Sequence, residues 1–173
     1  INAGISACNG AFHRSKMEHP NFIKFNEQTG EPYVSVPLLA KYVREHLQYI
    51  LVRDNGKQAL LKYVYEGGCY RLYADNMFLG IIKKYIADYE EELVKMSKVN
   101  EVLQHISTDL TYVSQDMLDS DENIINFQNG LLKVTATDTE LMPHSPDIFS
   151  TIQLPCKWSE ETVDTPVFDA YMD

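Results

Sequence analysis

Residues 123–134 read NIINFQNGLLKV, and in them two apolar runs flank the pair Asn129-Gly130. An Asn-Gly pair readily adopts the positive φ angles of a tight two-residue turn, so the pattern predicts a β-hairpin. A second stretch, LMPHSPDIFSTIQL at 141–154, follows closely and has the prolines and short apolar runs of further strands and turns. Local pattern therefore predicts β structure here and leaves open what the hairpin connects.

The length and composition of the chain are those of a globular protein. Its 173 residues are 45% hydrophobic, which is enough for one ordinary core or two small ones. No apolar run approaches the roughly 18 residues of a membrane-spanning helix, and the first residues lack the pattern of a secretory signal. The three cysteines, Cys8, Cys69 and Cys156, are scattered and odd in number, which favours a reducing cytoplasm over a disulfide framework.

The net charge of −10 is unevenly distributed along the chain. Residues 1–105 contain 13 basic and 12 acidic side chains, whereas residues 106–173 contain 2 basic and 13 acidic ones. An acidic surface repels a phosphate backbone. Any contact with nucleic acid is therefore expected in the first part of the chain.

Hydrophobic periodicity and turn residues predict most elements of the first part. Apolar residues at helical spacing predict three helices, at 37–48, 76–95 and 98–109, with Asp75 and Ser97 as caps of the second and third. Turns at Asp54-Asn55-Gly56 and Gly67-Gly68 predict a three-stranded meander, with strands at 49–53, 58–65 and 69–73. A turn at 26–32 and a short strand at 33–36 precede the first helix.

The second part of the chain is predicted to be rich in β structure. The polar residues 116–123 are typical of a turn, and they place a boundary near 108–122. The sequence as a whole predicts an α+β fold: helices with a small antiparallel three-stranded meander, winged-helix-like, followed by a β-rich connector. We expect two units, a helical and β-hairpin unit at 1–110 and an acidic connector at 111–173.

A search for catalytic and metal-binding patterns predicts neither kind of site. The chain has no P-loop, no GxGxxG and no Gly-x-Ser-x-Gly elbow, and its five histidines are far apart. Asp119, Asp121 and Asn123 begin like a calcium loop, but Ile124 and Gly130 stand where that loop needs Gly and Glu. Asp119 and Asp121 could also form an Asp-x-Asp metal pair, although their polar surroundings favour a solvated turn. Cys69 is expected to be a small buried thiol.

Basic residues of the first part, interleaved with tyrosines, form the candidate DNA-binding set. Lys and Arg on a helix and a hairpin suit phosphate contact, and tyrosines suit base stacking. The alternative is an ordinary charged surface with tyrosines in the core, since the excess positive charge of this part is only one. The candidate residues are Lys41, Arg44, Arg53, Lys57, Lys62, Arg71, Lys83 and Lys84.

The order of motifs along residues 35–173 resembles that of a known family. Residues 125–158 resemble the segment just before the helicase domain in phage and plasmid primase–helicases, which are superfamily 3 helicases with poxvirus and phage-satellite relatives. YVYEGGCYRLY at 63–73 is similar to a strand and Gly-Gly turn of the same family. The matching motif residues of the second part are Asn129, Gly130, Pro143, His144, Pro146, Leu154 and Pro155.

The resemblance implies a non-catalytic segment of a DNA primase/helicase, in the cytoplasm of a bacterial host. The ATPase core, with its ATP and magnesium, would follow Asp173, and the primase centre would precede Ile1, so no cofactor is expected in this segment. The implied role is to link primase to helicase and assist DNA engagement in replication. The implied partners are DNA, the protein's own primase and helicase domains, and further copies in a homo-oligomer, with no membrane. The alternative is a structural or oligomerisation module that docks the helicase ring without touching DNA.

Overall fold

The structure is a computed structural model, and it describes residues 20–54, 60–108 and 112–161. Three helices and nine strands lie in these ranges. The helices are α1 (Val36–His46), α2 (Asp75–Ala87) and α3 (Met96–Ser107). The strands are β1 (Ile23–Phe25), β2 (Pro32–Val34), β3 (Tyr49–Arg53), β4 (Leu60–Glu66), β5 (Cys69–Tyr73), β6 (Val113–Ser114), β7 (Ile124–Phe127), β8 (Gly130–Val134) and β9 (Thr139–Met142). Short 3-10 turns lie at Glu91–Leu93 and Gln115–Met117.

The central sheet has the strand order β5-β4-β3-β6. The antiparallel meander β3-β4-β5 confirms the prediction made from the turn residues. Asn55 and Gly56, the middle of its first predicted turn, lie outside the described residues. Strand β6 adds a pairing that was not predicted: it runs parallel to β3, with Val52 opposite Val113.

The three helices bury their predicted apolar stripes in one core. Leu39 and Val43 of α1, Phe78 and Ile82 of α2 and Val102 of α3 are fully buried, and they pack in the same cluster as the sheet. Burying an aliphatic or aromatic side chain of this kind stabilises the fold by about 1.5–3 kcal/mol each. The 3.6-residue periodicity therefore identified the core faces correctly.

The ends of two helices differ from the prediction. Helix α2 ends at Ala87 instead of residue 95, because Glu90 is extended (φ −158°) and the chain re-enters a 3-10 turn. Asp75 is the first residue of α2 and Ala74 occupies the cap position, while the Asp75 carboxylate accepts a 2.8 Å hydrogen bond from Lys62. Ser97 lies inside α3, which begins at Met96.

The second part is a three-stranded antiparallel sheet, β7-β8-β9. The predicted hairpin is present with its turn one residue earlier, because Gly130 pairs with Phe127 and leaves Gln128 and Asn129 as the loop. A Cβ on Gly130 would lie 2.5 Å from the carbonyl oxygen of Met142, so the close approach of β9 requires glycine.

These elements confirm the α+β class. The division at residue 110 stays a prediction, and residues 109–111 lie outside the described ranges. Among the described helices, none has the length and apolar character needed to cross a membrane.

Candidate functional site

The Gly67-Gly68 turn between β4 and β5 is where the two parts of the chain meet. Both glycines have positive φ angles, +59° and +87°, which side chains other than that of glycine rarely tolerate. The carbonyl of Gly67 accepts a 2.8 Å hydrogen bond from Gln153, and the carbonyl of Gly68 accepts a 2.9 Å bond from Asn126. Side chains of the second part therefore hold a backbone turn of the first.

Asn126 is the centre of this junction. The residue is only 4% exposed. Its amide nitrogen donates to the carbonyl of Gly68 and to the hydroxyl of Ser150. Its amide oxygen faces Nε2 of His144 and Nε2 of Gln153, each at 3.2 Å. A buried amide with partners at both ends stabilises one arrangement of its neighbours, because leaving any of them unpaired carries a desolvation cost.

His144, one of the family motif residues, packs its ring against Gly68. An added Cβ on Gly68 would lie 2.6 Å from three atoms of that ring. Nε2 of His144 lies 2.8 Å from the carbonyl oxygen of Phe127 and faces the amide oxygen of Asn126. Because both neighbours are acceptors, Nε2 carries the proton and donates.

Tyr70 extends the junction along the edge of β5. Its backbone N–H donates to the carbonyl of Ser150 at 2.8 Å, and its hydroxyl donates to the carbonyl of Pro146 at 2.7 Å. The ring meets Phe149 edge to face, with centroids 5.9 Å apart. Burial raises the pKa of the Tyr70 hydroxyl, which keeps it a neutral donor.

We expect Tyr70→Phe to lower the free energy of unfolding by about 1 kcal/mol, because the carbonyl of Pro146 loses its donor. The matched control is Tyr65→Phe. Its hydroxyl is buried with no hydrogen-bond partner in the described part of the chain, so removing it should be neutral or stabilising. Urea denaturation of both variants checks the pair. Equal losses in the two variants would contradict the assigned hydrogen bond.

Two further motif residues, Asn129 and Leu154, join the segment after Gln153 to the β7–β8 hairpin. The side chain of Asn129 donates to the carbonyl of Trp158 at 2.9 Å and accepts from its N–H at 2.8 Å. Leu154 forms a parallel bridge with Phe127, whose ring lies 5.6 Å from that of Trp158. Asn129, His144 and Leu154 therefore make structural contacts within the second part and at its junction.

The carboxylates of the Asp-x-Asp pair, Asp119 and Asp121, both accept hydrogen bonds from other residues of the second part. Asp119 has a φ of 49°, and its carboxylate accepts from the N–H and the hydroxyl of Thr151. Asp121 accepts from the N–H of Asn123 at 3.0 Å. No group of three or more His, Cys, Asp or Glu suited to a metal ion is found among the described residues. Cys69 is buried, as predicted.

The candidate DNA-binding residues occupy several elements of the first part. Lys83 and Lys84 are exposed on α2, and Arg71 is exposed on β5 with Glu66 at 3.6 Å. The guanidinium of Arg53 lies 4.0 Å from the ring centre of Tyr112, an arrangement typical of cation–π contact. These residues carry accessible positive charge, and their role in binding DNA stays a prediction.

The other candidates differ in accessibility. Lys62 is 7% exposed at its side chain and bound to Asp75 at 2.8 Å, so its charge is committed within the fold. Lys41 pairs with Glu45 at 3.6 Å on the surface of α1. Arg44 reaches Nδ1 of His105 at 3.4 Å. Lys57 lies outside the described residues.

Sequence reasoning did not single out Asn126, Ser150 or Gln153. The available signal was a polar residue within the apolar strand IINF, since an amide at an inward strand position needs a buried partner. Which partner it finds depends on the tertiary fold.

The fold and the junction define a small α+β module whose characteristic residues hold two parts together through a shared turn. Residues 40–173 match the family model described as D5 N terminal like, which covers more than half of the chain. The chain belongs to this family, the N-terminal region of phage and plasmid primase–helicase (D5-like) proteins, and the resemblance drawn from the motifs is confirmed. The domain that defines this family is an N-terminal domain without catalytic activity. No curated protein matches the chain.

Proposed function

We propose that this segment links the primase to the helicase of a phage or mobile-element replication protein and helps it engage DNA. The parent would be an ATP-dependent superfamily 3 helicase of the bacterial host cytoplasm, with ATP and magnesium bound by its ATPase domain. The observation that carries the proposal is the junction at Gly67-Gly68. Three buried or half-buried side chains of the second part, Asn126, His144 and Gln153, converge on this turn.

A linker that transmits position must be stiff. The junction supplies stiffness, because its polar groups are paired and its turn is packed against the His144 ring. A paired, buried network has one favoured geometry, whereas a solvated linker has many. The helical part would then keep a defined orientation relative to the segment that leads towards the ATPase.

DNA engagement is supported by the exposed cations of the first part. Lys83, Lys84 and Arg71 are accessible, and the Arg53–Tyr112 pair offers a cation beside an aromatic face. Cations of this kind bind phosphates, and aromatic faces stack on unpaired bases. Lys62 is not part of this surface because its side chain is buried and its ammonium group is paired with Asp75.

The triple substitution Lys83→Gln, Lys84→Gln and Arg71→Gln is expected to weaken binding of a labelled oligonucleotide. The logarithm of the binding constant decreases linearly with the logarithm of the salt concentration, and the magnitude of this slope should be smaller by about 2–3 in the variant. Each lost phosphate contact removes roughly 0.7–0.9 from the slope. Fluorescence anisotropy across a salt series, on single- and double-stranded probes, measures both quantities.

The control variant is Lys24→Gln, Lys133→Gln and Lys157→Gln, which changes net charge equally at exposed positions elsewhere. It should leave the salt slope nearly unchanged. An unchanged affinity in the first variant, or an equal loss in both, would refute the assigned contact surface.

The alternative function is a structural or oligomerisation module that docks the helicase ring without contacting DNA. The acidic second part favours it, because 2 basic and 13 acidic side chains in residues 106–173 suit a basic protein surface. Sedimentation of this chain with and without the downstream domain separates the two proposals. Assembly that depends on the downstream domain, together with no DNA affinity, would favour the alternative.

A further inference from the structure

An apolar groove of about 450 Å³ lies on the second part, and its lining includes Asn126 and Ser150 of the junction. It is formed by the loop before β7, by β7 itself and by residues 147–154. Four of the eleven exposed large apolar side chains in the described residues line it: Met117, Ile125, Ile152 and Leu154. Ile152 is 68% exposed. Clustered exposed apolar side chains mark binding sites more often than single ones do.

The rim of the groove is acidic. Asp119, Asp121 and Asp147 line it, and among the described residues no Lys or Arg does. Asp119 is bound to Thr151, whereas Asp121 and Asp147 are exposed, and their carboxylates accept local bonds from the N–H of Asn123 and the hydroxyl of Ser145. An apolar floor with a negative rim complements a segment that has apolar side chains flanked by positive charge.

We propose that this groove binds a basic polypeptide segment, which inserts an apolar side chain against Met117 and Ile152 and places Lys or Arg beside Asp121 and Asp147. Nucleic acid is a poor occupant, because the rim repels phosphate. Residues 162–173 of this chain are also poorly matched, since they contain three Asp and no Lys or Arg. The inference does not depend on DNA contact by the first part.

Three labelled 12-residue peptides test the proposal by fluorescence anisotropy. The first alternates Leu and Lys in an amphipathic pattern, the second replaces Lys with Glu, and the third replaces Leu with Ser. We expect binding of the Leu/Lys peptide at least about tenfold tighter than that of either other peptide, because apolar and charged contacts are both required. Equal binding of the Ser/Lys peptide would overturn the proposal, since attraction to net negative charge alone would then suffice.

Groove variants locate the binding. Ile152→Ser should weaken binding of the Leu/Lys peptide about tenfold, and its control is Leu72→Ser, another exposed apolar side chain (55%), which lies on β5. Asp121→Asn with Asp147→Asn should weaken it about fivefold at low salt, and the control is Asp138→Asn with Glu140→Gln. The asparagines retain the side-chain oxygens that accept the local bonds.

Equal losses of peptide affinity in the groove variants and in their controls would overturn the proposal. The same experiments also distinguish two other occupants, a second copy of the chain and DNA. Sedimentation that shows a dimer in the unaltered chain and a monomer in Ile152→Ser would assign the groove to a second copy and overturn it too. Displacement of the peptide by an oligonucleotide, prevented by the groove substitutions, would assign the groove to DNA. Circular dichroism identifies any variant that fails to fold, and amide chemical-shift changes at Ile125 and Ile152 of the unaltered chain then locate the peptide directly.

Discussion

Replacing Gly68 with alanine is expected to lower the free energy of unfolding by about 3 kcal/mol. Roughly 1–2 kcal/mol comes from placing a Cβ at positive φ, and about 1–3 kcal/mol from forcing it against a packed ring. The φ angle is +87°, and the added Cβ would lie 2.6 Å from the His144 ring. The ring cannot retreat freely, because its Nε2 is bound to Phe127. Thermal or urea denaturation measures the loss.

The neighbouring glycine provides the control. Gly67 also has a positive φ, +59°, but a Cβ there would meet nothing within 4 Å. Gly67→Ala should therefore lower the free energy of unfolding by only about 1–2 kcal/mol, the contribution of a Cβ at positive φ. Adding His144→Ala to Gly68→Ala should recover part of the loss, which a double-mutant cycle reports as a coupling of about 1–2 kcal/mol. Equal costs at the two glycines, or no coupling, would show that the ring does not constrain the turn.

Features set by neighbours in the sequence were predicted well. The stripe Phe78, Ile82 and Ile86 follows from 3.6-residue periodicity, and all three are fully buried. The end of α2 was predicted too late, because the extended conformation of Glu90 is not encoded by periodicity. Strand β6 was missed, since two residues carry no pattern and form a strand only by pairing with β3.

The junction shows a different limit. The sequence indicated a turn at Gly67-Gly68 and marked His144 as a motif residue, but no local signal says that these positions touch. Lys62 illustrates the same point for the basic residues. Its register opposite Leu51 and Tyr73 turns it towards the helices, where it binds Asp75. Side-chain spacing along a strand gives two faces, and only the tertiary fold decides which of them is covered.

Replacing Asn126 with alanine is expected to lower the free energy of unfolding by about 3–4 kcal/mol, since it leaves buried partners unpaired and opens a small cavity. Gly68 loses its donor, and His144 and Gln153 lose a shared acceptor. The matched control is Asn129→Ala on the same hairpin. Its two bonds to Trp158 are exposed, so about 1 kcal/mol is expected there. Urea denaturation at pH 7 compares the two variants.

Asn126→Asp separates hydrogen bonding from packing, because it keeps the shape of the side chain. One carboxylate oxygen would face the carbonyl of Gly68, and burial with this acceptor raises the pKa of the new carboxyl above its unfolded value of about 3.9. The protonated form donates to Gly68, so the stabilisation it supplies is full below the unfolded pKa and is lost as pH rises through the folded pKa. Relative to the unaltered chain, the variant should therefore be less destabilised at pH 4 than at pH 7. A destabilisation independent of pH would mean that the amide nitrogen of Asn126 contributes by packing alone, and that the two parts of the chain are not held by this bond.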